Sequence, residues 1–249
     1  MMTIHSKKLR DDQLAAFDVP LSTNARVQDF FAKIHDHFGG HPFRHLDVGG
    51  GNGTFSDGLL ERFPNCTSTV LDPAQVLLDR NSPNPRKTLV NSTVEEIGDK
   101  LGEEKFDLIT VNWVLHHLVL GSYKETREHQ LANLRRLGTY VSQDGKISVF
   151  ENVLEGMMLP DLPARAVFGI TSSRLLSPIT KRLGANTAGT GVCYLSRRQW
   201  LALMSEAGLV IDFYRCYPKS VSNRMRALMM LLLARPPENG FFWSSVARS

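Results

Sequence analysis

The segment Leu46-Asp47-Val48-Gly49-Gly50-Gly51-Asn52-Gly53-Thr54 constrains this chain more than any other. A short apolar run, RHLDV, breaks into three alternate glycines, Gly49, Gly51 and Gly53. TFSDGLLERF then follows as a predicted helix ending at Pro64. Glycines at such a strand-to-helix turn let the chain reverse tightly and let a ligand approach the backbone. Asp72 stands 19 residues beyond Gly53, at the end of the next predicted strand, STVLDP. An acid in that position can accept both hydroxyls of an adenosine ribose.

The rest of the chain extends the alternation. QVLLDRN reads as a helix stopped by Pro83 and Pro85, KTLVNS as a third strand and TVEEIGDKLG as a short helix. FDLITVNWVLHHL reads as a fourth strand running into a turn, and residues 123–141 as an amphipathic helix. Gln143-Asp144-Gly145 is a predicted turn into KISVFENV, a fifth strand. Strands and helices alternating at this spacing imply an α/β fold, a parallel sheet with helices on both faces. Upstream, Val27, Phe30, Phe31, Ile34 and Phe38 recur at helical spacing, so residues 1–40 form a predicted N-terminal helical lid. Residues 41–153 and 196–236 make the core. Residues 154–195, rich in Pro and Gly, are an inserted cap or substrate segment. Ser196 and Gln199 form a capping box for the helix SRRQWLALMSEAGL, VIDFYRCYP is a sixth strand, and RALMMLLLARPP is read as the last strand, hairpinned to it. Residues 237–249 are expected to be a tail.

Composition bounds the function. The 249 residues suffice for one elaborated α/β domain. No apolar run approaches the roughly 20 residues of a membrane span, the first residues lack an apolar leader core, and Cys66, Cys193 and Cys216 form neither a disulfide framework nor a zinc pattern. A cytoplasmic protein without a metal is the expectation. Residues 1–156 carry 17 Lys/Arg against 21 Asp/Glu, and residues 157–249 carry 12 against 4. The basic C-terminal third suits an acidic acceptor or one carried by an acidic protein, or is simply a solvated face.

A dinucleotide fits the loop poorly, because Thr54 stands where the pyrophosphate fingerprint needs glycine or alanine, and Asp47 would repel a pyrophosphate. The same Asp47 suits a ligand carrying positive charge. LDVGGGNGTF, TVLDPA, NSTVEEI, FDLITVNWVLHHL, KISVFENV and SRRQWLALMSEAGL resemble, in order and spacing, the motif series of the class I S-adenosylmethionine-dependent methyltransferases. The resemblance covers residues 44–155 and 195–235. It implies a Rossmann-like seven-stranded sheet whose last strand is antiparallel, with S-adenosylmethionine as cofactor. It also implies that Asp47, Gly49, Gly51, Asn52 and Gly53 hold the methionine part and Asp72 with Pro73 the ribose. Ser92, Thr93 and Val94 would flank the adenine, and Asn112 and Trp113 would sit beside the sulfonium.

Candidates for chemistry at the carboxyl ends of the strands are Asn112, Trp113, His116, His117, Glu151 and Asn152, joined by Arg165, Arg174, Asn186 and Tyr194 if the cap closes over that edge. Glu151, His117, Tyr194 and Asn112 are the expected catalytic set. Glu151 is alternatively the partner of a cap arginine, and the adjacent rings of His116 and His117 are expected to diverge. Trp113, with Tyr194 or Phe168, offers a π-face to a cation or belongs to the core. Arg26 is placed to meet a ligand carboxylate.

Methylation of a small-molecule acceptor, such as a secondary metabolite, is the leading functional expectation. One alternative keeps the cofactor and turns it into the substrate, by cyclisation to azetidine-2-carboxylate with release of methylthioadenosine. Another is a non-catalytic S-adenosylmethionine-binding module. Nucleic acid is not the expected partner, since strand four ends in Asn-Trp-Val-Leu instead of Asn/Asp-Pro-Pro-aromatic.

Overall fold

A computed structural model describes residues 25–182, 187–220, 227, 229–230 and 233–247. The expectations that fall on residues 1–24 and on Asn186 lie outside the described residues. Seven strands form one sheet: β1 (Phe43–Val48), β2 (Cys66–Asp72), β3 (Lys87–Asn91), β4 (Phe106–Asn112), β5 (Val141–Val153), β6 (Leu209–Pro218) and β7 (Glu238–Val246). Their order is β3-β2-β1-β4-β5-β7-β6. The first five are mutually parallel and β7 runs antiparallel to both its neighbours. The chain therefore builds outward from β1 to β3, returns to the centre, and builds the other way from β4. The reversal between β1 and β4 opens a crevice at the carboxyl edge, where ligands of open α/β sheets bind.

Alternation along the central strands sorts the core into two layers. Leu46 and Val48 of β1, Ile109 and Val111 of β4, and Ile147 and Val149 of β5 pack on one face with Leu134 and Leu137 of helix α5 (Tyr123–Thr139) and Trp200 and Leu203 of α8 (Arg197–Glu206). Phe43, Leu108 and Phe150 point to the other face, against Phe30 and Ile34 of α1 (Ala25–Phe38) and Leu59 and Leu60 of α2 (Thr54–Arg62). Short helices α3 (Gln75–Leu78) and α4 (Ile97–Leu101) complete the crossovers. The capping box of Ser196 and Gln199 is present, and Ser122 with Glu125 forms a second one. Among the described residues the cap contains two helices, α6 (Leu162–Ser172) and α7 (Ser177–Arg182), and it returns to the sheet by pairing Leu195 with Val153.

Two expectations are corrected. The last strand is not RALMMLLLARPP but Glu238–Val246, a stretch expected to be tail. Ala227, Met229 and Met230 are helical, and Leu233 takes a positive φ of 48°. Leucine, methionine and alanine favour helix, whereas Phe241, Phe242 and Trp243 favour a strand buried on both faces. Phe241 and Trp243 fill one layer and Phe242 the other. The core thus extends past residue 236. The second correction concerns Gln143-Asp144-Gly145, which is no turn between elements but an irregularity inside β5, where the register against β4 shifts between Phe106 and Leu108.

Candidate functional site

The glycine loop leaves the end of β1 beside the crevice. Gly49, Gly51 and Gly53 all adopt positive φ, of 68°, 51° and 74°. Asn81 from beyond α3 ties the loop down, donating from its amide to the Gly51 carbonyl at 2.8 Å. A Cβ on Gly53 would overlap the Asn81 amide oxygen. Gly53→Ala is expected to lower stability by about 2 kcal/mol, from the left-handed backbone alone, and more from the clash. Thermal unfolding checks this, with an expected loss on the order of 4–8 °C for a domain of this size.

Asp47 lies directly beneath the loop, its Oδ2 2.7 Å from where a Cβ on Gly50 would sit. Its carboxyl is fully buried and accepts from Ser56 Oγ at 2.8 Å and Thr110 Oγ1 at 2.9 Å. Burial pushes it up to about 6, against the pull of those two hydroxyls. Asp72, at the end of β2, accepts from the Gly51 N–H at 3.0 Å and the Ala74 N–H at 2.8 Å. Burial raises its pKa too. Two of its roughly four lone-pair sites are thus used on the backbone, leaving acceptor capacity on each oxygen. Asn52 turns its Oδ1 inward to receive the Thr54 N–H and hydroxyl at the start of α2. Ser92 follows β3 and donates from its backbone to the Asp72 carbonyl, the Pro73 carbonyl accepts from Asn91 Nδ2, and Val94 is buried in the core behind Thr93.

At the end of β4 the Asn112 amide has both polar atoms buried and without a hydrogen-bond partner. Burying an amide unpaired costs on the order of 1–3 kcal/mol, so Asn112 carries unmet hydrogen-bonding capacity at the carboxyl edge of the sheet. Trp113 takes a positive φ of 55°, an uncommon conformation for a bulky residue. Its backbone N–H bonds the Phe150 carbonyl at 2.8 Å. Arg26 of α1 stacks on the Trp113 ring at 3.9 Å and on Phe150 at 4.5 Å. Burial lowers that guanidinium to about 10. One face of the Trp113 ring therefore already carries a cation from the protein itself.

At the turn after Trp113 the structure pairs two of the candidate residues in a way the sequence reading does not anticipate. Glu151, fully buried on β5, accepts from His116 Nδ1 at 2.6 Å and from the Leu115 N–H at 2.7 Å. Its partner is thus a histidine and not a cap arginine, and it is His116, not His117, that it grips. The two imidazoles do not diverge, because the single 3-10 turn at Leu115–His117 brings their centroids within 4.0 Å. Burial, with His116 beside it, holds His117 well below the usual histidine range, so it is neutral. From the cap, Tyr194 packs 5.3 Å from the His116 ring, and Cys193 donates its N–H to the His116 carbonyl. Burial pushes the Tyr194 phenol up to about 12. Arg165 lies over Tyr123 instead, Arg174 is exposed, and Phe168 meets Tyr123 edge-on within the core. A glutamate on β5 and a histidine just past β4, adjacent strands of a parallel sheet, were the available signal.

A sheet that reverses at β1/β4, with a glycine loop and the buried acid Asp72 at its carboxyl edge, has the Rossmann-like architecture seen in class I S-adenosylmethionine-dependent methyltransferases. Residues 46–146 match the family model described as a methyltransferase domain. Similar folds are found in three solved structures. A protein described as an O-methyltransferase from Nostoc punctiforme PCC 73102 is 15% identical, with a TM-score of 0.51 over 88% of this chain and 56% of that one. The mitomycin 7-O-methyltransferase MmcR is 18% identical, with a TM-score of 0.50 over 82% and 49%. A protein described as a sarcosine dimethylglycine methyltransferase from Galdieria sulphuraria is 16% identical, with a TM-score of 0.57 over 89% and 86%. This chain spans about half the length of the first two. No curated protein sequence matches it. No described helix is long and apolar enough to cross a membrane.

Proposed function

We propose that this chain methylates a hydroxyl group of a small-molecule acceptor, with S-adenosylmethionine as methyl donor. The observation that carries the reading is the buried Glu151–His116 pair. S-adenosylmethionine, when bound, supplies a methyl group made electrophilic by the adjoining sulfonium. Amines of suitable pKa arrive with a free lone pair, but a hydroxyl arrives protonated and needs a base. The carboxylate of Glu151 holds the Nδ1–H tautomer of His116, which leaves Nε2 as the acceptor of the substrate proton. The same carboxylate stabilises the imidazolium that forms. Backbone N–H groups of Leu115 and Asn152 also donate to Glu151 and hold its carboxyl in place.

The residues at the crevice fit the donor. Asp72 keeps acceptor capacity for ribose hydroxyls, and Asp47 beneath the loop favours a cationic ligand, as do Gly49, Gly51, Asn52 and Gly53 through close backbone approach. The orphaned Asn112 amide suits the polar methionyl end, and Arg26, buried beside Trp113, suits its carboxylate. Ser92, Thr93 and Val94 line the adenine side in this reading, with Pro73 beside Asp72 on the ribose side. Tyr194 and His117 wall the acceptor's approach, and the cap, with its surplus of basic residues, favours an acidic acceptor or one borne on an acidic carrier.

Mass spectrometry of the protein incubated with S-adenosylmethionine, with and without a panel of hydroxylated aromatic acids, tests the proposal. S-adenosylhomocysteine appearing together with a methyl ether supports it. Methylthioadenosine formed from the donor alone would replace it with cyclisation of the aminobutyryl chain. Tight binding without turnover on any acceptor would leave a binding module.

A further inference from the structure

Beneath the glycine loop, five buried side chains close a ring of hydrogen bonds. Asp47 Oδ2 meets Ser56 Oγ at 2.8 Å, Ser56 meets Ser68 Oγ at 3.0 Å, and Ser68 meets His45 Nδ1 at 2.9 Å. His45 Nε2 meets Thr110 Oγ1 at 2.8 Å, and Thr110 returns to Asp47 Oδ1 at 2.9 Å. All five residues are at most 2% exposed. The strand registers dictate the closure: His45 stands opposite Ser68 on β2, and Asp47 opposite Thr110 on β4. His45 and Asp47, two residues apart on β1, share the sheet face that α2 covers with Ser56.

Counting protons gives the consequence. Five hydrogen bonds need five protons. Three hydroxyls supply three and a neutral imidazole supplies one, while an ionised carboxylate supplies none. The closed ring therefore holds one proton more than ionised Asp47 and neutral His45 provide between them, on the carboxyl or on the imidazole. Either way the ring is electrically neutral, as a site sealed from water favours. Burial pushing Asp47 up to about 6 and His45 down to about 3 agrees with a single proton kept on the carboxyl in mild acid.

We infer that His45, Ser56, Ser68 and Thr110 are positioning residues for Asp47, closing a ring that stores one proton beneath the glycine loop and releases it when a cationic ligand is bound there. The inference rests on the reading that this loop binds S-adenosylmethionine. A ligand ammonium or sulfonium held by the loop favours the ionised carboxylate, and the displaced proton passes to solvent. The charges facing Asp47 from neighbouring elements are Asp72 of β2, which opposes ionisation, and Lys87 of β3, paired with Asp57 of α2, which assists it. The charge that the loop presents is thus set by the ligand and not only by pH.

Removing one hydroxyl tests the count. In Ser68→Ala three bonds remain, between Ser56 and Asp47, Thr110 and Asp47, and His45 and Thr110. Two hydroxyls and a neutral imidazole satisfy them with Asp47 ionised, so the extra proton has no place. Carbon-13 spectra of the Asp47 carboxyl in the ligand-free protein should show a midpoint well above the ordinary aspartate range in the wild type, falling towards that range in Ser68→Ala. Ser56→Ala gives the same count by a different cut and serves if Ser68→Ala fails to fold. Calorimetry of S-adenosylmethionine binding at about pH 5, in buffers of different ionisation enthalpy, should show about one proton released by the wild type and a large reduction in either variant. Because His116 is intact in all three proteins, the difference belongs to the ring. Binding with equal proton release in wild type and variants, or a carboxyl midpoint that the variants leave unmoved, would overturn the inference. Absence of binding heat would strike at the cofactor reading, while the ligand-free spectra still decide the ring.

Discussion

Replacing His116 with asparagine is expected to lower kcat for methylation of a hydroxyl acceptor by about 10²–10⁴-fold, the usual contribution of a positioned general base. Asparagine is chosen because its amide can still donate to Glu151, so the buried carboxylate keeps a partner. Alanine would leave that carboxylate short of a donor, at a cost on the order of 1–3 kcal/mol in stability, and would confound chemistry with folding. The affinity for S-adenosylmethionine should be unchanged, since the glycine loop and Asp72 are untouched. The residual rate of the variant should follow the acceptor's own ionisation, so its pH profile should differ from that of the wild type. Steady-state kinetics across pH, with calorimetry for the donor, separates these outcomes. A loss of less than tenfold with an unaltered pH profile would mean that the acceptor needs no base, and that the Glu151–His116 pair only braces the turn between β4 and α5.

The glycine loop and Asp72 were legible because each depends on local geometry: a tight turn demands residues that tolerate positive φ, and one strand length sets the distance to the next strand's end. The strands of the parallel core were equally plain, since burial on both faces requires continuous apolar runs. The C-terminal strand was not. Residues 226–234 are as apolar as any strand of the sheet, and hydrophobicity alone cannot separate a buried strand from a helix. The aromatic composition of Phe241-Phe242-Trp243 carries the distinction, because large flat rings fill both layers of a strand buried between β5 and β6. The Glu151–His116 pair escaped for a different reason. Which of two adjacent histidines meets a carboxylate 35 residues away depends on the 3-10 turn that swings one ring toward β5, and no periodicity records such a turn. Arg26 was expected near a ligand carboxylate, but its stacking on Trp113 depends on the unusual backbone of that tryptophan. The proton ring lies between these extremes. His45 and Asp47 share a face by simple alternation, yet their hydroxyl partners come from three other elements whose register only the assembled sheet defines.

Asp72→Ala is expected to weaken binding of S-adenosylhomocysteine by about 10²–10⁴-fold while leaving the fold intact. Two hydrogen bonds from ribose hydroxyls to an ionised carboxylate are each worth about 1.5–3 kcal/mol, and about 1.4 kcal/mol corresponds to a factor of ten. The carboxylate also anchors the loop, holding Gly51 through Oδ2 and Ala74 through Oδ1. Alanine therefore removes both the ligand's partner and one restraint on the backbone that the ligand approaches. Asn81, which grips the Gly51 carbonyl independently, should keep the loop near its place. Asp72→Asn isolates the two effects. Its remaining carbonyl oxygen can accept one hydrogen bond, so binding should fall less than in the alanine variant, while its amide N–H₂ cannot serve the backbone N–H that lost its acceptor. Calorimetric titration with S-adenosylhomocysteine suits the measurement because it needs no acceptor. A wild-type affinity surviving in Asp72→Ala within tenfold would show that the ribose is held elsewhere, and would detach the acid at the end of β2 from ligand binding altogether.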